Sequence, residues 1–183
     1  MAARLPYVER EQVPTEVQAT YDRVTKRGGR GLNFYRLMAH HPLPVPPFDQ
    51  WYAALREGAL DPRLRQLAYV RVSQLNRCRY CATHHSAFGQ TVGVSREQLE
   101  ALPVFETSPL FSELERLVLR YAEQMTVRVQ VDGTLVESLR GQLSPEALVQ
   151  LTLSSAAANF TNRFNEALGT ELEVTTLPGE PQT

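Results

Sequence analysis

The sequence has no excess charge of one sign, no long apolar run and very little cysteine. Nineteen basic residues face twenty acidic ones, and no Lys/Arg cluster is interleaved with aromatics. A surface that neutralises phosphates needs such a cluster, so nucleic acid is excluded as a partner. No stretch approaches the roughly 20 apolar residues that cross a bilayer, and the opening MAARLPYVEREQVP lacks the apolar run of a secretory leader. The expectation is a soluble, cytoplasmic protein without a membrane partner. A G-x-G-x-x-G fingerprint is missing as well, so no nucleotide cofactor is expected.

Strand signals are also scarce. TVRVQVDG, residues 126–133, is the one stretch with strand-like alternation, whereas helix signals recur throughout. The expected fold class is therefore all-α. With 183 residues, 43% of them hydrophobic, the chain can bury a sizeable core. A single helical domain is expected over residues 1–170, with residues 1–47 as an N-terminal arm ending in the proline-rich HPLPVPP, and residues 171–183 as a tail.

Several helix starts can be read directly. Val17, Tyr21 and Val24 form a short stripe after Pro14, and residues 32–40 make a second short helix. Phe48, Trp51 and Leu55 mark a third, in which Trp51 is a core or pocket-wall candidate. Asp61 before Pro62 has the form of an N-cap and first helical residue. Ser95 with Gln98 makes a capping box, and Ser108 before Pro109 and Ser144 before Pro145 open two longer helices. The last is apolar on most of its circumference, with small residues at 154–158, which suits a central or interface helix. Its Asn159, Asn162, Arg163 and Asn165 form a polar patch, read as asparagines holding neighbouring segments, with Arg163 as a substrate-binding candidate.

The two cysteines sit together in QLNRCRYCATHHSAFG, residues 74–89, with two of the four histidines. If Asn76 caps a helix here, both cysteines fall near its N-terminus, where unpaired N–H groups and the dipole favour thiolate. At about 100° per residue, Cys81 lies roughly 60° from Cys78, and His85 falls between them. His85, one turn beyond Cys81, is then the natural base for that thiol. His84 lies on the far side of Cys81 and reads as a surface histidine or a pocket residue. Three chemistries use this pattern: a dithiol that reduces peroxide through a sulfenic acid, a zinc clip completed by His85 with His40, His41 or His84, and an inert buried pair.

The segment RLRQLAYVRVSQLNRCRYCATHHSAFGQTVG resembles the signature of the carboxymuconolactone decarboxylase superfamily, specifically its AhpD-like redox members. Those carry C-x-x-C-x-x-x-H, matched here by Cys78, Cys81 and His85. The closing LSPEALVQLTLSSAAANFTNRFNEALG is similar to the last helix of longer, peroxidase-related members. The resemblance implies an AhpD-like helical bundle, a homo-oligomer, and a metal-free hydroperoxide reductase served by an external dithiol or redox-protein reductant. It also implies that Cys81 attacks the peroxide, Cys78 donates a proton and resolves, and His85 belongs to the proton relay.

Two positions depart from the pattern. Gln66 stands twelve residues before Cys78, where the alkylhydroperoxidases place a relay glutamate, and Tyr80 replaces a histidine between the cysteines. Glutamine can hydrogen-bond but cannot carry a proton as a carboxylate does. The implied relay is then weakened, or rebuilt from Tyr80, Glu57 or Asp61. The alternative is a non-enzymatic oligomeric scaffold or thiol redox sensor of the same fold. Lactone decarboxylation is disfavoured, because the decarboxylases of the superfamily do not depend on this dithiol motif.

Overall fold

The computed structural model describes residues 2–29 and 31–173. Nine α-helices cover them: α1 (Thr15–Lys26), α2 (Leu32–Met38), α3 (Val45–Ala54), α4 (Pro62–Leu75), α5 (Arg79–Thr91), α6 (Arg96–Ala101), α7 (Glu113–Val127), α8 (Gly133–Arg140) and α9 (Pro145–Leu168). No strand occurs among the described residues, so the all-α class holds. No helix among them is long and apolar enough to cross a membrane. The described residues divide into two compact units, one made of those up to Asp49 with 168–173, the other of Gln50–Ala167.

In the first unit, α1 buries Val17, Thr20, Tyr21 and Val24, the stripe read from the sequence. The half-proline stretch expected as a connector instead supplies the first turn of α3. Pro46 and Pro47 stand there because the missing N–H groups of a first turn have no helical acceptor to lose. Asp49, buried in α3, accepts hydrogen bonds from Arg23 and from the Tyr35 hydroxyl, which satisfies its charge.

The second unit is organised around α4. Asp61 caps it by accepting from the Arg63 N–H at 2.7 Å, with Pro62 at the first position, as the sequence indicates. One face of α4 (Leu64, Ala68, Tyr69, Val72) joins a core with Leu117, Val118 and Tyr121 of α7, Leu135 and Leu139 of α8, and Leu151 and Ala158 of α9. The opposite face, Leu67 and Val70, meets Val94, Leu99, Leu102, Phe105, Phe111 and Leu119. Gln66, buried on this enclosed helix, needs partners for its amide.

Two other expectations change, and the one strand-like stretch fits the all-α class. The helix expected from Ser108 starts at Ser112, where a complete capping box with Glu115 satisfies two backbone donors and outcompetes the Ser-Pro pair. Residues 126–133 form no strand. Their alternation has no partner segment to pair with, and the stretch becomes the end of α7 and a turn in which Val129 takes a φ of 67°. Trp51 is 41% exposed and so is not a core residue. By contrast, the capping box of Ser95 with Gln98 forms, and Ser144 caps α9 by accepting from the Ala147 N–H.

Entry to α4 depends on one glycine. Gly58 has a φ of +137°, and a Cβ there would lie 2.6 Å from Oε1 of Gln150. That buried amide accepts from the Leu60 N–H and donates to the carbonyls of Leu55 and Glu57. Gly58→Ala is expected to cost about 2 kcal/mol or more, from backbone strain and displacement of Gln150. Gly133→Ala, at an open helical position, should be neutral or stabilising by up to about 1 kcal/mol. Urea denaturation of the two variants against wild type measures the contrast.

Candidate functional site

The cysteines lie at the junction of α4 and α5. Asn76 is the C-cap of α4, not the N-cap of α5. The Cys78 N–H reaches the Ser73 carbonyl and the Arg77 N–H that of Gln74, with Arg77 in the left-handed region at φ 57°, a Schellman closure. The Asn76 side chain is drawn instead to Asn159 and Asn162 of α9, with Oδ1 acceptors at 3.0 Å each. Helix α5 then starts at once, and its N-cap is a sulfur: Cys78 Sγ accepts from the Cys81 N–H at 3.3 Å. Cys81 is thereby in the first turn of α5, as expected, although the capping residue differs.

Both thiols are free and buried, 1% exposed at Cys78 and 4% at Cys81, and their sulfurs stand 2.7 Å apart. Donors converge on Cys81. Cys78 gives its S–H and Asn165 gives Nδ2–H at 3.2 Å. Burial pushes the Cys81 thiol up, but these donors, with the polar groups of Asn162 and Thr161 acting in the same sense, outweigh it and hold the thiol below its ordinary value. Cys78 is driven strongly upward by the proton it donates to Cys81, by burial and by the neighbouring sulfur's charge. The two sulfurs are thus unequal, one favouring thiolate and the other thiol.

His85 is half-buried, and its ring stacks on Tyr69 with centroids 3.5 Å apart. Nδ1 lies 2.8 Å from Gln66 Oε1, and Nε2 lies 3.0 Å from the Tyr52 hydroxyl. An amide oxygen only accepts, so Nδ1 carries the proton and Nε2 accepts from Tyr52. Both ring nitrogens are therefore occupied, and the direct pairing of His85 with Cys81 drawn from helical projection gives way to an indirect one. Burial lowers the imidazole to about 3, with the charges of His84, Arg65 and Arg56 acting in the same sense.

Tyr52 and Tyr69 stand edge to face with ring centroids 6.4 Å apart, and the Tyr69 hydroxyl lies 2.6 Å from Thr161 Oγ1. Burial raises Tyr52 to about 12 and Tyr69 well above its ordinary value.

Gln66 is thus at the site, bonded to His85. Tyr80 and His84 form their own edge-to-face pair, with centroids 4.4 Å apart. Asp61 is committed to capping, and the Glu57 carbonyl accepts from Gln150. His40 donates to the Pro6 carbonyl, and no group of three or more His, Cys, Asp and Glu among the described residues is arranged to hold a metal ion. Arg163 is exposed and bonded to Asn159 of its own helix.

Sequence reasoning missed Tyr52, Tyr69 and Thr161 as neighbours of the motif. Tyr69 carries a readable signal, three residues after Gln66 and so on the same face of α4. Tyr52 and Thr161 carry none, because they arrive from distant helices.

Residues 48–124 match the model of the Carboxymuconolactone decarboxylase family. Among curated proteins, the chain is 34% identical over 125 residues to YnjA of Escherichia coli (strain K12), covering 68% of each. Its fold is similar to that of a peroxidase-related protein with an alkylhydroperoxidase AhpD core from Ralstonia eutropha JMP134, with a TM-score of 0.82 and 20% identity over 94% of this chain and 93% of that one. The debrominase Bmp8 has the same fold, with a TM-score of 0.74 and 21% identity over 92% of this chain and 91% of that one.

Titration of the reduced protein should show one thiolate forming below the ordinary cysteine value of about 8.5 and the other far above it. Asn165→Ala removes one donor and should raise the lower midpoint by about one pH unit, as expected for a hydrogen bond to a charged group. A second outcome concerns His85. Its folded value lies below the unfolded value of about 6.5, so the unfolded chain binds the extra proton between about 6.5 and about 3. Stability should fall as pH is lowered through that window. Denaturant midpoints against pH should show a shallower fall in His85→Gln.

Proposed function

The chain belongs to the carboxymuconolactone decarboxylase family, among its AhpD-like members, and from that premise we propose that it is a thiol oxidoreductase. Its substrate is a hydroperoxide, and its cycle runs between the Cys78/Cys81 dithiol and the disulfide. The observation that carries this reading is the inequality of two sulfurs in contact, with Cys78 and Asn165 both donating to Cys81.

In the cycle, the Cys81 thiolate attacks the terminal oxygen of the hydroperoxide. An S–O bond forms, the O–O bond breaks, and the alkoxide leaves to take up a proton as alcohol. Cys78 then attacks the sulfenic sulfur, water departs, and the disulfide forms. An external dithiol or redox protein supplies two electrons and two protons to restore both thiols. The leaving-group preference follows from the same asymmetry. When the disulfide is reduced, Cys81 is the sulfur better able to depart as thiolate, so the reductant's first bond is to Cys78.

Two features favour the sensor as a second reading: Gln66 in place of a carboxylate, and the near-complete burial of both sulfurs. The test is peroxide consumption by the protein with dithiothreitol as reductant. Turnover is expected in wild type and none in Cys81→Ser. Without reductant, Cys78→Ser should consume about one equivalent of peroxide and stop at a sulfenic acid that dimedone traps. Full activity in Cys81→Ser overturns the assignment of roles. A wild type that is oxidised once but does not turn over, with Gln66→Glu gaining turnover, supports the sensor instead.

A further inference from the structure

One buried oxygen beside Cys81 has no partner. Asn165 is 3% exposed, and while its Nδ2–H reaches Cys81 Sγ at 3.2 Å, its Oδ1 is buried with no hydrogen-bond donor among the described residues. The neighbouring amides differ. Oδ1 of Asn162, on the same helix, accepts from Asn76, Oε1 of Gln66 from His85, Oε1 of Gln150 from the Leu60 N–H, and Oε1 of Gln98 from Arg63. A buried acceptor left unpaired costs free energy, so an orphan on the one amide that touches the sulfur calls for a chemical reason.

We propose that Asn165 Oδ1 accepts the hydrogen bond of the hydroperoxide O–H, and afterwards that of the Cys81 sulfenic acid formed from it. The inference rests on the reading of Cys81 as the attacking sulfur and adds the group that aims the attacked oxygen at it. Asn165 then touches both nucleophile and substrate, as a catalytic residue.

The two ends of one planar amide suit the two atoms of the bond being made. A thiolate offers only lone pairs, so the amide presents Nδ2–H to it and turns Oδ1 aside. The terminal oxygen of a hydroperoxide carries a proton that needs an acceptor once it has left water. Held through that proton by Oδ1, the oxygen comes beside the sulfur that Nδ2 holds. Cys81 is only 4% exposed, so little water is at hand to accept in place of the amide.

In the step itself, a thiolate lone pair forms the S–O bond and the O–O bond breaks with its electron pair on the departing alkoxide. The alkoxide takes a proton from solvent, matching the one lost when Cys81 ionised. The proton on the attacked oxygen stays there throughout, so its hydrogen bond to Oδ1 survives into the sulfenic acid. That acid is then closed onto Asn165 by two bonds, O–H to Oδ1 and Nδ2–H to Sγ. Accepting from the hydroxyl favours the protonated acid over sulfenate, the form more readily oxidised to sulfinic acid. The same oxygen thereby protects the intermediate until Cys78 resolves it.

The test separates the two ends of the amide. Reduced Cys78→Ser and Cys78→Ser/Asn165→Ala are treated with hydrogen peroxide and, separately, with methyl methanethiosulfonate, a small thiol reagent with no O–H or N–H. Both reactions are run at a pH above the Cys81 midpoint of either protein, so that loss of the Nδ2 donor no longer changes the amount of thiolate. The ratio of the peroxide rate to the methanethiosulfonate rate is expected to fall roughly tenfold in the double variant, the effect of one lost hydrogen bond. Excess peroxide should also carry its sulfenic acid to sulfinic acid several-fold faster, followed by mass. Melting temperatures check folding, and Asn165→Leu, of similar volume, carries the test if Asn165→Ala does not fold.

An unchanged ratio overturns the inference, since Asn165 then only donates to the thiolate, and an unchanged rate of sulfinic acid formation overturns its protective half. If the Cys78→Ser parent reacts with methyl methanethiosulfonate and ignores peroxide, the peroxide reading itself fails and this inference falls with it.

Discussion

The site depends on the convergence of hydrogen-bond donors on the sulfur of Cys81, inside a fold that excludes most water from it. Burial alone would make this cysteine inert, because desolvation favours the neutral thiol. The donors reverse that balance, and two constraints supply them: the Schellman closure of α4 places Cys78, and α9 brings Asn165, with Thr161 and Asn162 on the same face. Remove α9 and only the neighbouring thiol is left to offset desolvation.

The buried face of α9 mixes the small residues Ala147, Ser154, Ser155, Ala157 and Ala158 with Leu151 and the polar Thr161, Asn162 and Asn165. The asparagines are then held in register rather than left as isolated polar groups. Asn76 donates to Asn159 and Asn162, Asn162 donates to the Ser73 hydroxyl, and that hydroxyl donates to the Tyr69 carbonyl. A polar network buried this deeply is stabilising only when its members are satisfied, and this one spends its spare donors on the sulfur.

The division between what sequence reading finds here and what it misses follows the range of the interactions. Asp61 with Pro62, and Ser95 with Gln98, are local devices whose partners lie within three residues, and both form as read. Asn76 is misassigned because two helices meet there with almost no loop, and an asparagine suits either end. The pairing of Cys78 with Cys81 is likewise local. Asn162 and Asn165 are visible as polar residues on an apolar helix, but that they face a sulfur more than eighty positions away is set by packing alone. Tyr52 is invisible as a site residue for the same reason.

Gln66 shows how one side chain sets the character of the whole arrangement. A carboxylate at this place, 2.8 Å from Nδ1, would favour imidazolium by simple attraction and would draw the thiol proton toward His85 at rest. The amide keeps the same geometry and the same tautomer without the charge, so the ring stays neutral and burial holds its proton affinity low. Negative charge at Cys81 is accordingly stabilised from its own side, by hydrogen bonds, and not by a standing ion pair with the ring.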